Sequence, residues 1–454
     1  MKIAKVCPIY KNGNAMLFVQ YRPVSVLPVM SKVLEKVMYD RIYNFLQELD
    51  LLYELQFGFR PKYSTYMALT ASVEKIISAL DKGEFMIGVF IDFSKALDII
   101  DHGILLAKLE TYGIRGVAKK WFSSYLSNRY QSVCYNGVTS SRKKISCGVP
   151  QGSILGLLLF LIYVNDLAKV CNELFTVMYA DDSNLFKNGK SLNNLEHIIN
   201  KSLADISYWL KLNKLSLNID KTHFIIFRRR KQVISYEPKI YIDSKPLSRV
   251  QETKFLGVFL DEHLTWHKHV SYITNKMSKG LGILLKVRRY LNKNTLLQLY
   301  YTFIYPYLSY CNHVWGNTYS TYLSKLLILQ KRIIRIITFS EYRAHTSVLF
   351  KNLKILKCKE VHKYQIGQFI YKYIEGMLPS VFGNMFCVNA SIHDYDTRSS
   401  HKFHMNKVTI DVAKRFITHY GIVFWNNVCD CIGLCSSVDV LKYRLKAFLL
   451  NHQD

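Results

Sequence analysis

The sequence lacks an apolar run long enough to cross a bilayer. The longest, Ile154 to Val164, has 11 residues and closes on Asn165 and Asp166, whereas a spanning helix needs about 20. No apolar stretch follows Lys2 and Lys5, so no secretory signal is expected and the chain is placed inside the cell, in the nucleus or the cytoplasm. Nor is there a phosphate-binding G-x-x-x-x-G-K-[ST]: Asn184 stands where Gly189-Lys190-Ser191 would need its first glycine, which disfavours a P-loop ATPase. The ten cysteines show no paired spacing. Cys429, Cys431 and Cys435 cluster without the histidines of a zinc knuckle, and all ten are expected to be free thiols. His267 and His269 follow Trp266, one on each side of Lys268, in a stretch better suited to packing or surface roles than to metal binding. Acidic residues are scarce, 33 Asp+Glu against 61 Lys+Arg for a net charge of +28. Such an excess serves a polyanion, and 32 Tyr and 25 Phe available for stacking favour nucleic acid over an anionic membrane.

A chain of 454 residues, half of them hydrophobic, can bury a large core and is expected to divide into two or three domains. KIAKVCPIYKNGN predicts a strand and a Gly-Asn turn at an abrupt beginning, as if more chain preceded it. Arg22-Pro23 opens the next segment in extended form. Leu34, Val37, Met38, Ile42, Phe45, Leu46 and Leu49 then follow helical spacing, with Ser31 as the expected N-cap. A cationic, turn-rich stretch, Phe57 to Leu69, carries Gly58, Arg60 and Lys62 ahead of a helix over 65–80. Asn136-Gly137 marks a hairpin. Gly148, Pro150 and Gly152 make a bare turn that lets a backbone approach a ligand, with the Gln151 amide beside it, and a buried helix is expected over 154–167. Leu195 to Leu210 forms an amphipathic helix. Arg228, Arg229, Arg230 and Lys231 fit either a solvated face or a nucleic-acid backbone contact. KFLGVFLDEHLTW reads as a hairpin, and residues 267–339 as mostly helical. Strands alternating with helices up to about residue 230 indicate an α+β layer with helices on one face.

The conspicuous carboxylates are few. Asp181 and Asp182 fall between two short strands, 177–179 and 184–186, and a charge pair among apolar residues is costly unless a cation compensates it. Alone, the pair fits a solvated hairpin tip as well as a metal site. A third carboxylate, Asp92, ends the apolar strand 85–91, while Asp98 and Asp101 are expected on the following helix. Three converging carboxylates would suit hard divalent cations in phosphoryl transfer.

Individually weak, these motifs are specific in their order. YRPVSVLP, FGFR, FIDFSKALD, GVPQGSILG, YADD, LSLNIDKT and FLGV, from Tyr21 to Val258, resemble the successive blocks of a non-LTR retrotransposon reverse transcriptase of the jockey-like kind. WGNTY, QKRIIRI, DTRSS and YGIVFWN resemble the tail of the same polyproteins. The resemblance implies a right-hand polymerase, with fingers and palm over 1–235, a primer-grip hairpin and helical thumb over 236–340, and a helical and irregular extension over 341–454. It implies RNA-directed DNA synthesis from a DNA 3′-hydroxyl primer on an RNA template with dNTPs. Asp92 and Asp181 would bridge two Mg²⁺ ions, for which Mn²⁺ is a possible substitute, and Asp182 would complete the triad. Arg60 and Lys62 would hold the triphosphate, Arg22 would touch template, and Gly148, Pro150, Gln151 and Gly152 would floor the nascent pair. Lys221 would assist proton transfer to pyrophosphate, and Gly257 would belong to the primer grip. Leu97 occupies the place of an aromatic that blocks a ribose 2′-hydroxyl in the family; Leu157 replaces a usual proline and Gln20 a usual asparagine. The endonuclease that usually precedes this polymerase is missing from the sequence, so target nicking would come from upstream sequence or another chain. The competing class is a decayed, non-catalytic nucleic-acid binder.

Overall fold

The structure, a computed structural model, describes residues 2–11, 13–392 and 400–453. Strands Ile3–Tyr10 (β1) and Tyr21–Val26 (β2) precede the helix Val29–Glu48 (α1), and Thr65–Asp81 (α2) precedes the strand Phe85–Asp92 (β3). Helices His102–Thr111 (α3) and Gly116–Leu126 (α4) lead to the strands Arg129–Tyr135 (β4), Val138–Thr139 (β5) and Lys143–Ile145 (β6). Helices Ile154–Val164 (α5) and Leu167–Val170 (α6) follow. Next come the hairpin Phe175–Tyr179 (β7) and Asp182–Gly189 (β8), the helix Leu192–Leu212 (α7) and the strand His223–Phe227 (β9). Short strands Tyr241–Ile242 (β10), Lys245–Pro246 (β11) and Ser248–Arg249 (β12) connect to the hairpin Glu252–Phe255 (β13) and Val258–Asp261 (β14). Helices His267–Val287 (α8), Lys293–Phe303 (α9), Tyr305–Ser309 (α10), Asn312–Trp315 (α11) and Ser320–Ile337 (α12) come next. Thr346–Asn352 (α13), Cys358–Ile374 (α14), Asp411–Arg415 (α15), Ile422–Ile432 (α16) and Val438–Asn451 (α17) complete the chain. Among the described residues no helix is long and apolar enough to cross a membrane. Most of the DTRSS stretch lies outside the described residues.

The central sheet has the order β12-β9-β3-β8-β7, with β3 antiparallel to both β8 and β9. Strand β3, FMIGVFID, is buried along nearly its whole length because both faces are covered. Side chains alternate across a strand, so Phe85, Ile87, Val89 and Ile91 enter one core with α5 and α7. Met86 and Phe90 enter another, shared with α2, the β13–β14 hairpin and the helices beyond. Gly88 belongs to the second row, where an added Cβ would lie 3.0 Å from the Phe186 ring and 3.2 Å from Phe227. Its bareness admits both rings. Asp92 continues the row of residues 86, 88 and 90, and emerges where that core ends.

A second sheet, order β2-β1-β4-β5 with β6 also on β4, stands beside this layer. It is tied down by the Ser25 N–H, which donates to the Gln151 carbonyl at 2.7 Å. Helix α1 anchors through Glu35, 1% exposed. Its carboxylate accepts from the Tyr125 hydroxyl at 2.8 Å, the Ser153 hydroxyl at 2.9 Å and the Ile154 N–H at 2.8 Å, which places a negative charge at the N-terminus of α5.

Residues beyond 340 share one core with α2 and the helices α8–α12. Asp81, at the end of α2, accepts from the Thr409 and Ile410 N–H groups at 2.7 and 3.0 Å. The Phe57 and Phe382 rings stand 6.4 Å apart.

Several local expectations are corrected. Helix α1 begins after Pro28, and Ser31 is buried inside it. Leu34 and Val37 are 48% and 47% exposed while Glu35 is buried, because α5 takes the adjacent face of the helix. Asp98 lies on a short 3-10 turn, Ala96–Asp98, and Asp101 caps α3 by accepting from the Ile104 N–H at 3.0 Å. Helix α5 stops at Val164 because Asn165 turns to other partners, accepting from the Tyr53 N–H and donating to the Leu51 carbonyl, each at 2.7 Å.

Candidate active site

Asp92 ends β3 and Asp182 begins β8, and the two are directly paired in register. Paired residues of an antiparallel ladder put their side chains on the same face with Cβ atoms about 5 Å apart, where like charges repel. Asp181 is adjacent, in the two-residue turn between Tyr179 and Asp182, which are themselves paired. Asp182 keeps open surface, yet protein crowds its carboxyl: burial first, then Asp181 and Asp92, push its pKa up to about 6. Lys221, with its side chain 63% exposed, stands 3.5 Å from Asp92, too loose and too solvated to neutralise three carboxylates. Beyond β3, the Asn218 N–H donates to the Asp92 carbonyl at 2.8 Å. That contact brings the Lys221 turn to the strand end.

The turn is held from the other side by the FGFR loop. The Phe57 N–H donates to the Met178 carbonyl at 2.8 Å and the Met178 N–H to the Leu55 carbonyl at 3.0 Å. Gln56, 2% exposed, accepts through Oε1 from both the Gly58 N–H at 2.9 Å and the Ala180 N–H at 3.2 Å. Ala180 has φ +58°, an uncommon conformation for a side chain that these contacts over-determine. A Cβ on Gly58 would lie 2.0 Å from the Ala180 nitrogen, so only glycine fits. Sequence reasoning missed Gln56; its signal was a polar residue among Leu55, Phe57 and Tyr53.

The remaining expected residues divide into free and engaged. Arg22 on β2 and Lys62 are exposed, and both are available to a polyanion. Arg60 is 6% exposed. Its guanidinium donates to the Tyr53 carbonyl at 2.9 Å, the Gln56 carbonyl at 3.3 Å and Gln47 Oε1 at 3.3 Å, and lies 4.0 Å over the Tyr63 ring. It therefore faces the loop it belongs to. Arg228 pairs with Glu262 at 3.1 Å. Arg229 donates to the last carbonyls of α2, Leu80 at 2.6 Å and Asp81 at 2.5 Å, as a cation at a helix C-terminus does. Those two arginines are structural; Arg230 and Lys231 are exposed.

The turn of Gly148, Pro150, Gln151 and Gly152 was expected to leave room for a ligand. In the structure the chain itself uses that room: a Cβ on Gly148 would meet the Asp98 carbonyl oxygen at 2.4 Å, and one on Gly152 the Ser25 carbonyl oxygen at 2.4 Å. Both glycines have positive φ, +79° and +128°. The Val149 N–H donates to the Leu97 carbonyl at 2.9 Å, so the loop and the half-buried Leu97 are neighbours. Gln151 donates through Nε2 to both Asp98 oxygens at 3.0 Å. Gly257, φ +85°, follows Leu256, φ +44°, in a tight hairpin turn. The Tyr310 hydroxyl holds this turn by donating to the Leu256 carbonyl at 2.7 Å. His269 is 2% exposed and packs 5.1 Å from Trp315.

Among the described residues no three acid, histidine or cysteine side chains are drawn together as ligands of one ion. The donor set is nonetheless the one that a hard divalent cation takes. It consists of carboxylate oxygens in mutual repulsion, and magnesium ordinarily uses one or two carboxylates with substrate phosphates rather than an all-protein cage. Burial first, and then the uncompensated charge of Asp181 and Asp92, raises the pKa of Asp182.

The chain belongs to the reverse transcriptase (RNA-dependent DNA polymerase) family, whose pattern it matches over residues 9–260. Among its relatives, a probable RNA-directed DNA polymerase from transposon X-element of Drosophila melanogaster is 28% identical over 369 residues, covering 78% of this chain and 39% of that protein. The RNA-directed DNA polymerase from mobile element jockey of Drosophila funebris is also 28% identical, over 365 residues, with the same coverage. The chain thus spans about two-fifths of the length of these curated relatives. Of solved structures, apo telomerase from Candida tropicalis aligns at a TM-score of 0.41 and 13% identity over 82% of this chain and 66% of that one.

Proposed function

We propose that this chain is an RNA-directed DNA polymerase of a non-LTR retrotransposon, extending a DNA 3′-hydroxyl on an RNA template with dNTPs. The single observation that carries the reading is the in-register pairing of Asp92 with Asp182, with Asp181 in the adjoining turn, in a chain of this family. Asp92, Asp181 and Asp182 would hold two Mg²⁺ ions, which when bound polarise the primer hydroxyl and the triphosphate. Mn²⁺ has the same preference for oxygen donors and can replace them.

The chain's own residues supply position and charge. Residues 1–235 act as fingers and palm, 236–340 as primer-grip hairpin and thumb, and 341–454 as a helical and irregular extension. Lys62 contacts the triphosphate, while Arg60 stiffens the loop that carries it, because its guanidinium is already engaged. Lys221, 3.5 Å from Asp92, donates a proton toward the leaving pyrophosphate. Arg22 tracks template phosphate. The loop with Gly148, Pro150, Gln151 and Gly152 supports the nascent pair beside Leu97, and the turn at Gly257 holds the primer end. These substrates place the protein in the nucleus or cytoplasm. The test is extension of a labelled DNA primer on an RNA template with dNTPs and Mg²⁺. Stepwise template-dependent products are expected, and their absence with either metal, while RNA binding persists, would refute the proposal.

A further inference from the structure

Asp98 has no role in the reading above, yet it is the partner that fixes Gln151. Nε2 of Gln151 donates to both carboxylate oxygens at 3.0 Å. An ionised carboxylate can only accept, so the amide must turn its NH₂ toward Asp98 and its carbonyl oxygen away. Among the described residues that oxygen has no hydrogen-bond partner and is not sealed from solvent.

The surrounding backbone leaves the pair little freedom. The Gly148 N–H donates to the Ile100 carbonyl at 2.7 Å and the Val149 N–H to the Leu97 carbonyl at 2.9 Å, which zips the loop to the 3-10 turn on both sides of Asp98. Asp98 is itself held by its N–H, which donates to the Lys95 carbonyl at 2.8 Å. On the far side the Gln151 carbonyl accepts from the Ser25 N–H at 2.7 Å. Leu97 and Gln151 are therefore two ends of one hydrogen-bonded unit, and Asp98 sets its polarity.

We infer that Asp98 is a positioning residue for nucleotide selection: it orients the Gln151 amide so that an uncommitted acceptor oxygen faces the nucleotide and selects a ligand that donates there, a sugar hydroxyl. The inference rests on the proposed placement of Gln151 beside the incoming nucleotide. With Asp98→Asn, the partner offers a donor and an acceptor, and the Gln151 amide can face either way.

The test is a double-mutant cycle read as the ratio of kcat/KM for a dNTP to that for its 2′,3′-dideoxy counterpart. Gln151→Ala should lower this ratio about tenfold, the loss of one well-placed hydrogen bond, and Asp98→Asn by at least about twofold, since the amide then presents its NH₂ about half of the time. The double variant should be no worse than Gln151→Ala alone, because the two side chains act as one unit. A merely structural role for Asp98 would lower the melting temperature and slow both nucleotides equally, leaving the ratio unchanged. That outcome, with Gln151→Ala still lowering it, overturns the inference alone. An unchanged ratio in Gln151→Ala overturns both the placement of Gln151 and the inference. A readout independent of polymerisation is NMR of the full chain labelled in its glutamine side-chain amides, with Gln151 assigned through Gln151→Ala. Its amide protons should exchange slowly in the parent and at least tenfold faster in Asp98→Asn; fast exchange in the parent would overturn the inference whether or not the chain polymerises.

Discussion

Replacing Gly58 by alanine tests the contact that holds the catalytic turn. The added Cβ would stand 2.0 Å from the Ala180 nitrogen, 2.7 Å from its Cα and 2.9 Å from the Tyr179 carbonyl carbon. All three are backbone atoms and cannot swing aside. Ordinary contact begins at 3.4 Å, so one backbone must retreat by about 1.4 Å. That displacement breaks the bonds of Phe57 with Met178 and of Met178 with Leu55, and both bonds accepted by Gln56 Oε1. At about 1 kcal/mol each the local loss is about 4 kcal/mol, or roughly a thousandfold in opening equilibrium. Native-state hydrogen exchange should show the amides of Phe57, Gly58, Met178 and Ala180 losing protection by that order. Extension should fall at least about a hundredfold, as expected when a reacting group moves by an ångström. Gly282→Ala is the control: it lies within α8 with nothing within 4 Å of its Cβ, and should stabilise by about 0.5–1 kcal/mol. Parent-like protection and activity in Gly58→Ala would refute the account of the turn.

The other expectations concern charge and the nucleotide pocket. His269, His313 and His362 are buried, and burial first drives their pKa values down to about 3, 3 and 4. Their stabilising contribution is therefore complete above pH 6.5 and is lost as pH falls toward those values. At pH 5 the loss is about 2 kcal/mol for each; denaturant unfolding of the helical region should weaken from pH 7 to 5, and a flat profile would contradict this. Asp182 has the opposite sign: its folded pKa is raised to about 6, so the cost of its charge sets in above the unfolded value near 4 and is complete above about 6. Asp182→Asn should therefore raise the melting temperature in EDTA most at pH 8, less at pH 5 and not at pH 3, and a lower melting temperature at pH 8 would count against the crowding. Leu97→Phe should reduce ribonucleotide incorporation by the parent chain; an unchanged rNTP to dNTP ratio would show that Leu97 does not face the sugar.

The sequence made the elements near the site readable because they are local. The apolar strand ending on Asp92, the hairpin holding Asp181 and Asp182, and the Asn136-Gly137 turn each carry their own periodicity or turn chemistry. What it hid was long-range. Gln56 and Ala180 are 124 positions apart, and the need for glycine at 58 arises only when they meet. Helical spacing identified an apolar stripe on α1 but could not say that α5 covers the Glu35 side and leaves Leu34 exposed. Arg60 read as a cation for phosphate and Arg229 as either a solvated charge or a nucleic-acid contact, whereas the fold uses both on backbone carbonyls. Asp98 was assigned to a helix, which concealed its bond to Gln151.

The most direct measurement compares the parent chain with Asp181→Asn on an RNA template, scoring primer extension and template binding together. The account predicts Mg²⁺-dependent extension by the parent, extension reduced at least about a thousandfold in Asp181→Asn, and the same template affinity in both. Equal extension by the two chains would contradict the assignment of these carboxylates.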